Sequence, residues 1–84
     1  MPGALRLRDI DTNMNRMTDG SHNVFVNKLK FCRFTDPDDN GDTINRNVSP
    51  NVFVNGLNAA YIGSVDSSNH TKITGSSNVF VNGE

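Results

Sequence analysis

The pentapeptide Asn-Val-Phe-Val-Asn occurs three times in this chain, at residues 23–27, 51–55 and 78–82. A serine stands two residues ahead of each copy: Ser21, Ser49 and Ser76. The copies are 28 and then 27 residues apart in a chain of 84. Near-identical blocks at near-constant spacing imply one structural unit used three times. A pseudo-threefold arrangement is therefore the first expectation.

Each pentapeptide reads as a strand, because Val and Phe favour extended backbone and alternate between the two faces of the pleat. The expected structural core of the repeats is Val24, Phe25, Val26, Val52, Phe53, Val54, Val79, Phe80 and Val81. The Val pairs are expected on the axis and the Phe residues on the other face. Asn55-Gly56 and Asn82-Gly83 follow two of the copies, and Asn-Gly is the strongest two-residue hairpin signal. The first copy has Asn27-Lys28, a weaker turn. Residues 29–36 and 57–63 read as the returning strands. The third copy runs out at Glu84, and its returning strand lies at the other end of the chain. Residues 4–9 align with residues 31–36 and 59–64.

The expected architecture is a single all-β domain over residues 1–84. It is a small pseudo-threefold cone of three hairpin repeats: 10–36, 37–64, and 65–84 completed by 1–9. Pairing of the N- and C-terminal strands closes the ring and protects sheet edges. The connections 10–20, 37–48 and 65–75 are expected to gather at one end.

A chain this short buries only about 60–65% of its unfolded surface, so its core is thin. Cys32 is the single cysteine and cannot form an internal disulfide. The formal net charge is −1, with no basic patch to suggest nucleic acid. No apolar run approaches the ~20 residues that span a bilayer. Residues 1–6 lack the apolar stretch of a signal peptide, so synthesis in a cytoplasm is expected.

The repeated Ser-x-Asn-Val-Phe-Val-Asn, followed by a strand in the place of a Pro-Ala-Ala-Arg segment, resembles the PAAR-repeat proteins. The resemblance covers nearly the whole chain. The Pro-Ala-Ala-Arg part is degraded to Gly3-Ala4-Leu5-Arg6, Lys30-Phe31-Cys32-Arg33 and Asn58-Ala59-Ala60-Tyr61. The closing Asp is kept as Asp9 and Asp36 and is Ser64 in the second block. The resemblance implies a β-cone, one monomer capping the blunt end of a trimeric β-helical central spike. It implies a structural protein of a contractile injection machine that pierces a target membrane. A bare cone fits the tail baseplate of a bacteriophage virion, the tip of its central spike. A type VI-like secretion apparatus, with an effector carried on the cone, is the alternative. A free-standing β-solenoid binding module is a third reading, against which the long repeat argues.

Proteins of this kind often hold a metal near the tip through several His and a Cys, so the resemblance implies a possible Zn or Fe. His70 matches one such loop position; the other loops offer Asn15 and roughly Thr43, poor ligands for those metals. Cys32 falls on the returning strand and reads as a core residue, and His22 as a surface group. No cofactor is therefore expected. Residues 36–42 place oxygens at alternate positions with Gly41 sixth, like the start of an EF-hand loop. The twelfth position is Asn47 instead of Glu, so the stretch reads as a plain turn. No nucleophile elbow or phosphate loop is present, and the expected function is not enzymatic.

Overall fold

The computed structural model describes residues 1–82; the Gly83 half of the third Asn-Gly turn lies outside the described residues. The chain is all-β, with no helix among the described residues. Its strands are β1 (Phe25–Val26), β2 (Leu29–Lys30), β3 (Ile44–Arg46), β4 (Phe53–Val54), β5 (Leu57–Asn58) and β6 (Val65–Asp66). β1 pairs with β2, β4 with β5, and β3 with β6, all antiparallel.

The repeated serine explains how each hairpin begins. Its hydroxyl oxygen accepts from the backbone N–H groups two and three residues ahead. The pairs are Asn23 and Val24, Asn51 and Val52, and Asn78 and Val79. This Ser turn satisfies donors that a two-residue strand leaves unpaired. The hairpin then reverses through two positive-φ residues, Asn27 (52°) and Lys28 (69°) in one case and Asn55 (54°) and Gly56 (82°) in the other. Lys28 adopts the glycine conformation despite its side chain.

The third hairpin is made by the chain ends. Gly3 bridges Phe80, Ala4 N–H donates to Val79 O at 2.9 Å, and Val81 N–H donates to Pro2 O at 2.9 Å. The Ala4–Val79 bond repeats Phe31 N–H to Val24 O and Ala59 N–H to Val52 O. A Cβ on Gly3 would overlap Ser76 O, so the closure leaves no room for a side chain there.

The returning segments bind one another in a closed circuit. Leu5 N–H donates to Ala60 O, Ala60 N–H to Cys32 O, and Cys32 N–H to Leu5 O, at 2.9–3.1 Å. A second circuit runs through the connections, where Met17 faces Asp38, Ile44 faces Asp66, and Lys72 faces Asp11. Each repeat thus grips the next, and the last grips the first.

Two apolar clusters fill the interior. Val26, Val54 and Val81 lie under the hairpins with Ala4, Phe31, Ala59 and Tyr61. Leu5, Met17, Cys32, Ile44 and Ala60 form the second, toward the connections. The nine-residue core expected from the pentapeptides is therefore corrected. Only the second Val of each copy is in the core, and Val52 packs partly against it. Val24 and Val79 are marginal, at 38% and 37% exposed. Phe25, Phe53 and Phe80 point outward and are 54%, 58% and 53% exposed. The pleat puts the central Phe opposite the buried Val, and no second layer covers that face.

The degraded arginine segment also has a structural role. In Arg6–Asp9 and Arg33–Asp36 the guanidinium forks onto both carboxylate oxygens at 2.9–3.2 Å. The Asp also accepts the Arg backbone N–H across a turn. The repeat over 37–64 has lost both partners together: Tyr61 enters the core, and its N–H donates to Ser64 Oγ instead. The turn residue before each closing Asp or Ser has positive φ: Arg8 (76°), Thr35 (77°) and Gly63 (111°).

A β-branched residue in the left-handed region costs ~1–2 kcal/mol, and Thr35 is exposed there. Thr35→Gly and Lys28→Gly are each expected to stabilise the protein by about 1 kcal/mol. Urea unfolding checks this, with the midpoint rising at unchanged slope.

Candidate functional site

Asp11, Asp38 and Asp66 occupy the same place in the three repeats, 27 and 28 residues apart. Each begins a tight connection turn, and each is folded into it in the same way. Asp11 Oδ1 accepts the N–H groups of Asn13 and Asn15, Asp38 Oδ1 those of Asn40 and Asp42, and Asp66 Oδ1 those of Ser68 and His70. This leaves three Oδ2 atoms facing one another inside the protein.

A lysine fills the space between them. Backbone bonds Met17 N–H to Asp9 O, Ile44 N–H to Asp36 O and Lys72 N–H to Ser64 O make Met17, Ile44 and Lys72 counterparts. Two of the three are apolar and belong to the second core cluster. The third runs its alkyl chain through that level and delivers Nζ to Asp38 (2.9 Å), Asp66 (3.1 Å) and Asp11 (3.2 Å). The ammonium has three protons for three acceptors. All four side chains are fully buried. Burial pushes the Asp11 carboxyl up, but the Asn15 and Asn13 amides and Lys72 outweigh it and hold it below its ordinary value. Burial likewise pushes Lys72 down, and its bonds to Asp38, Asp66 and Asp11 overcome that and raise it.

Above this cluster stand Asn15, Asp42 and His70. Asp11 N–H donates to Asn15 O, Asp38 N–H to Asp42 O and Asp66 N–H to His70 O, which makes these three counterparts. Asp42, and not Thr43, is thus the residue matching His70 in the second connection, because each turn spans the same four residues from its Asp. The Asp42 carboxyl is held below its ordinary value by the Ser68 hydroxyl and the Asn40 amide. His70 Nδ1 lies 3.7 Å from Asp11 and Asp66 and 4.0 Å from Asp42, buried and with no hydrogen-bond partner. Asn15 Nδ2 is in the same state.

A Zn or Fe bound by several His and a Cys does not fit these residues. His70 is the single soft ligand here. Cys32 lies in the core, donates to Asp19 O at 3.3 Å, and is pushed up by desolvation, which disfavours a thiolate. Asp11, Asp66 and His70 do approach one another closely, as do Asp38, Asp42 and Asp66. Three of the four carboxylates concerned already bind the Lys72 ammonium. The EF-hand-like oxygens do not all converge: Asp38 and Asp42 approach each other, but Asp36 is turned away to hold Arg33, and Asp38 already holds Lys72. His22 is exposed.

The hairpins present a different surface. Phe25, Phe53 and Phe80 project from it with Val24 and Val79 beside them. Around them the flanking asparagines form a third circuit. Asn27 donates to Asn78, Asn82 to Asn51, and Asn55 to Asn23, at 2.8–3.0 Å. Arg6 and Arg33 reach this belt from the interior side, through Asn27 and Asn55.

No protein-family model and no curated protein matches this chain.

The recurrence of Asp at one position in every repeat was the sequence signal for the buried cluster. Lys72, at a position otherwise apolar, was its complement.

The two shifts set a pH window. The lowered Asp11 contributes stability present above 3.8 and lost as pH falls through its folded value. The raised Lys72 contributes stability present below 10.5 and lost as pH rises through its folded value. Melting temperature measured against pH is expected to fall on both sides of that window. Undiminished stability above the alkaline edge would contradict this electrostatic account.

Proposed function

We propose that this chain is a pseudo-threefold β-cone that caps and sharpens the trimeric central spike of a contractile phage tail. The observation that carries this reading is the trio of outward Phe residues, one per repeat. Half-exposed aromatics repeated once on each hairpin mark an interaction surface. Three equivalent copies suit a partner that itself has three equivalent chains. The three closed circuits of hydrogen bonds favour the threefold arrangement, as does one Asp per repeat around a single ammonium.

In this reading the hairpin face is the base and the connection end is the tip. The molecule is small and nearly as tall as wide, with extents of 25 × 24 × 24 Å. As the tail contracts, the spike drives the tip against a membrane. Load on the base is spread over three repeats, and no chain end can peel without breaking the Gly3–Phe80 closure. The asparagine belt and its arginine braces keep the Phe ring level while it docks. A tip of a type VI-like apparatus would use the same face, and the spike partner distinguishes the two machines.

The test is co-expression with a trimeric β-helical spike protein of the same genome, followed by mass measurement of the complex. One chain per spike trimer is expected. Because the Phe residues are exposed, the triple variant F25A/F53A/F80A should melt within a few degrees of wild type. It should bind the spike at least ~100-fold more weakly, which is about 2.7 kcal/mol. A chain that stays unbound at micromolar concentration, or a triple variant that binds as wild type does, contradicts the proposal.

A further inference from the structure

The resemblance to metal-holding spike tips and the donor set found here disagree, and the disagreement has a physical content. The connections converge on a site built for a cation. Three buried carboxylates, one per repeat, direct an oxygen each into a common space. Their other oxygens are pinned by six backbone N–H groups, so the cage is rigid. Like charges this close require a positive centre among them.

We propose that Lys72 is that centre, a cation tethered to the chain that takes the structural role of a bound metal, so that the connection end folds and holds without any metal ion. Three features support this. The ammonium satisfies all three carboxylates with one proton each, at 2.9–3.2 Å. Its stem occupies a position that is Met17 and Ile44 in the other repeats, so one substitution in one repeat supplies the charge without disturbing the packing. A divalent ion coordinated by these same oxygens at roughly 2.0–2.6 Å would stand against the ammonium and be repelled. A tethered cation also differs functionally from a metal. It cannot be lost to a chelator, and it needs no supply when the particle is assembled. The inference is independent of what docks on the Phe face, and it can fail while the capping reading stands.

The experiment uses the whole chain. Purified wild-type protein is assayed for metals by elemental analysis and melted with and without EDTA, Zn2+, Ca2+ and Mn2+. Substoichiometric metal is expected, with melting temperature unchanged by chelator. A tightly held metal near one per chain, or a clear loss of stability in EDTA, overturns the proposal. In Lys72→Met the three carboxylates lose their counter-ion. The expected drop in melting temperature is roughly 15–30 °C, partly recovered by millimolar Ca2+ or Mn2+. A Lys72→Met protein as stable as wild type overturns the proposal. Because that variant can fail to fold, wild-type NMR supplies a second measurement. The Lys72 ammonium should give a slowly exchanging 15N signal at neutral pH, unchanged by EDTA or Zn2+. Its absence, or its loss when Zn2+ is added, overturns the assignment.

Discussion

Strands of two residues cannot hold a fold by themselves, since an isolated hairpin is marginal even when longer. What holds this protein is the closed circuit of backbone bonds through Leu5, Cys32 and Ala60. Each of these residues gives its N–H to one neighbour and its carbonyl to the other, so no sheet edge is left there to fray or to recruit another chain. The circuit is reinforced where residues 3–4 reach residues 79–80 and complete the third hairpin. Ala4, Leu5, Ala59 and Ala60 are fully buried around it, and small residues there let three backbones come within hydrogen-bonding distance.

The buried charges extend the same logic toward the connection end. An ammonium and three carboxylates taken out of water carry a large desolvation cost, and such groups often add little net stability over an apolar filling. What they add here is specificity of arrangement. Lys72 can satisfy its three protons only when all three connections are in place, so the cluster couples turns that are distant in sequence. The Arg6–Asp9 and Arg33–Asp36 forks do the corresponding work within a repeat, and Arg6 and Arg33 also reach the asparagine belt. The two ends of the molecule are therefore joined by polar contacts as well as by the apolar clusters between them.

Much of this was legible in the sequence. The all-β class followed from the triple pentapeptide, and the alignment of residues 4–9 with 31–36 and 59–64 located the missing strand. Cys32 was read as core and is buried. The Phe residues do lie on the face opposite the Val pairs, as expected, but were wrongly counted in the core, because periodicity says which residues share a face but not which face is covered. In a single layer of hairpins the face opposite the buried Val has nothing over it. The cluster around Lys72 was missed because recurring Asp residues in Asn- and Gly-rich connections look like ordinary turn formers, which they also are. Their second oxygen is spoken for only in three dimensions, by a lysine 61 residues from Asp11. The pairing of Thr43 with His70 erred by one residue, since turn geometry sets that register and not composition.

The most direct test of the account is native-state hydrogen exchange at the amides of Leu5, Cys32 and Ala60. If the circuit holds the fold together, the three amides exchange only through global unfolding, with equal free energies that match the stability from denaturant titration. Rapid exchange at Leu5 while Cys32 and Ala60 stay protected would mean that the N-terminal segment frays and the ring is open, which would contradict it.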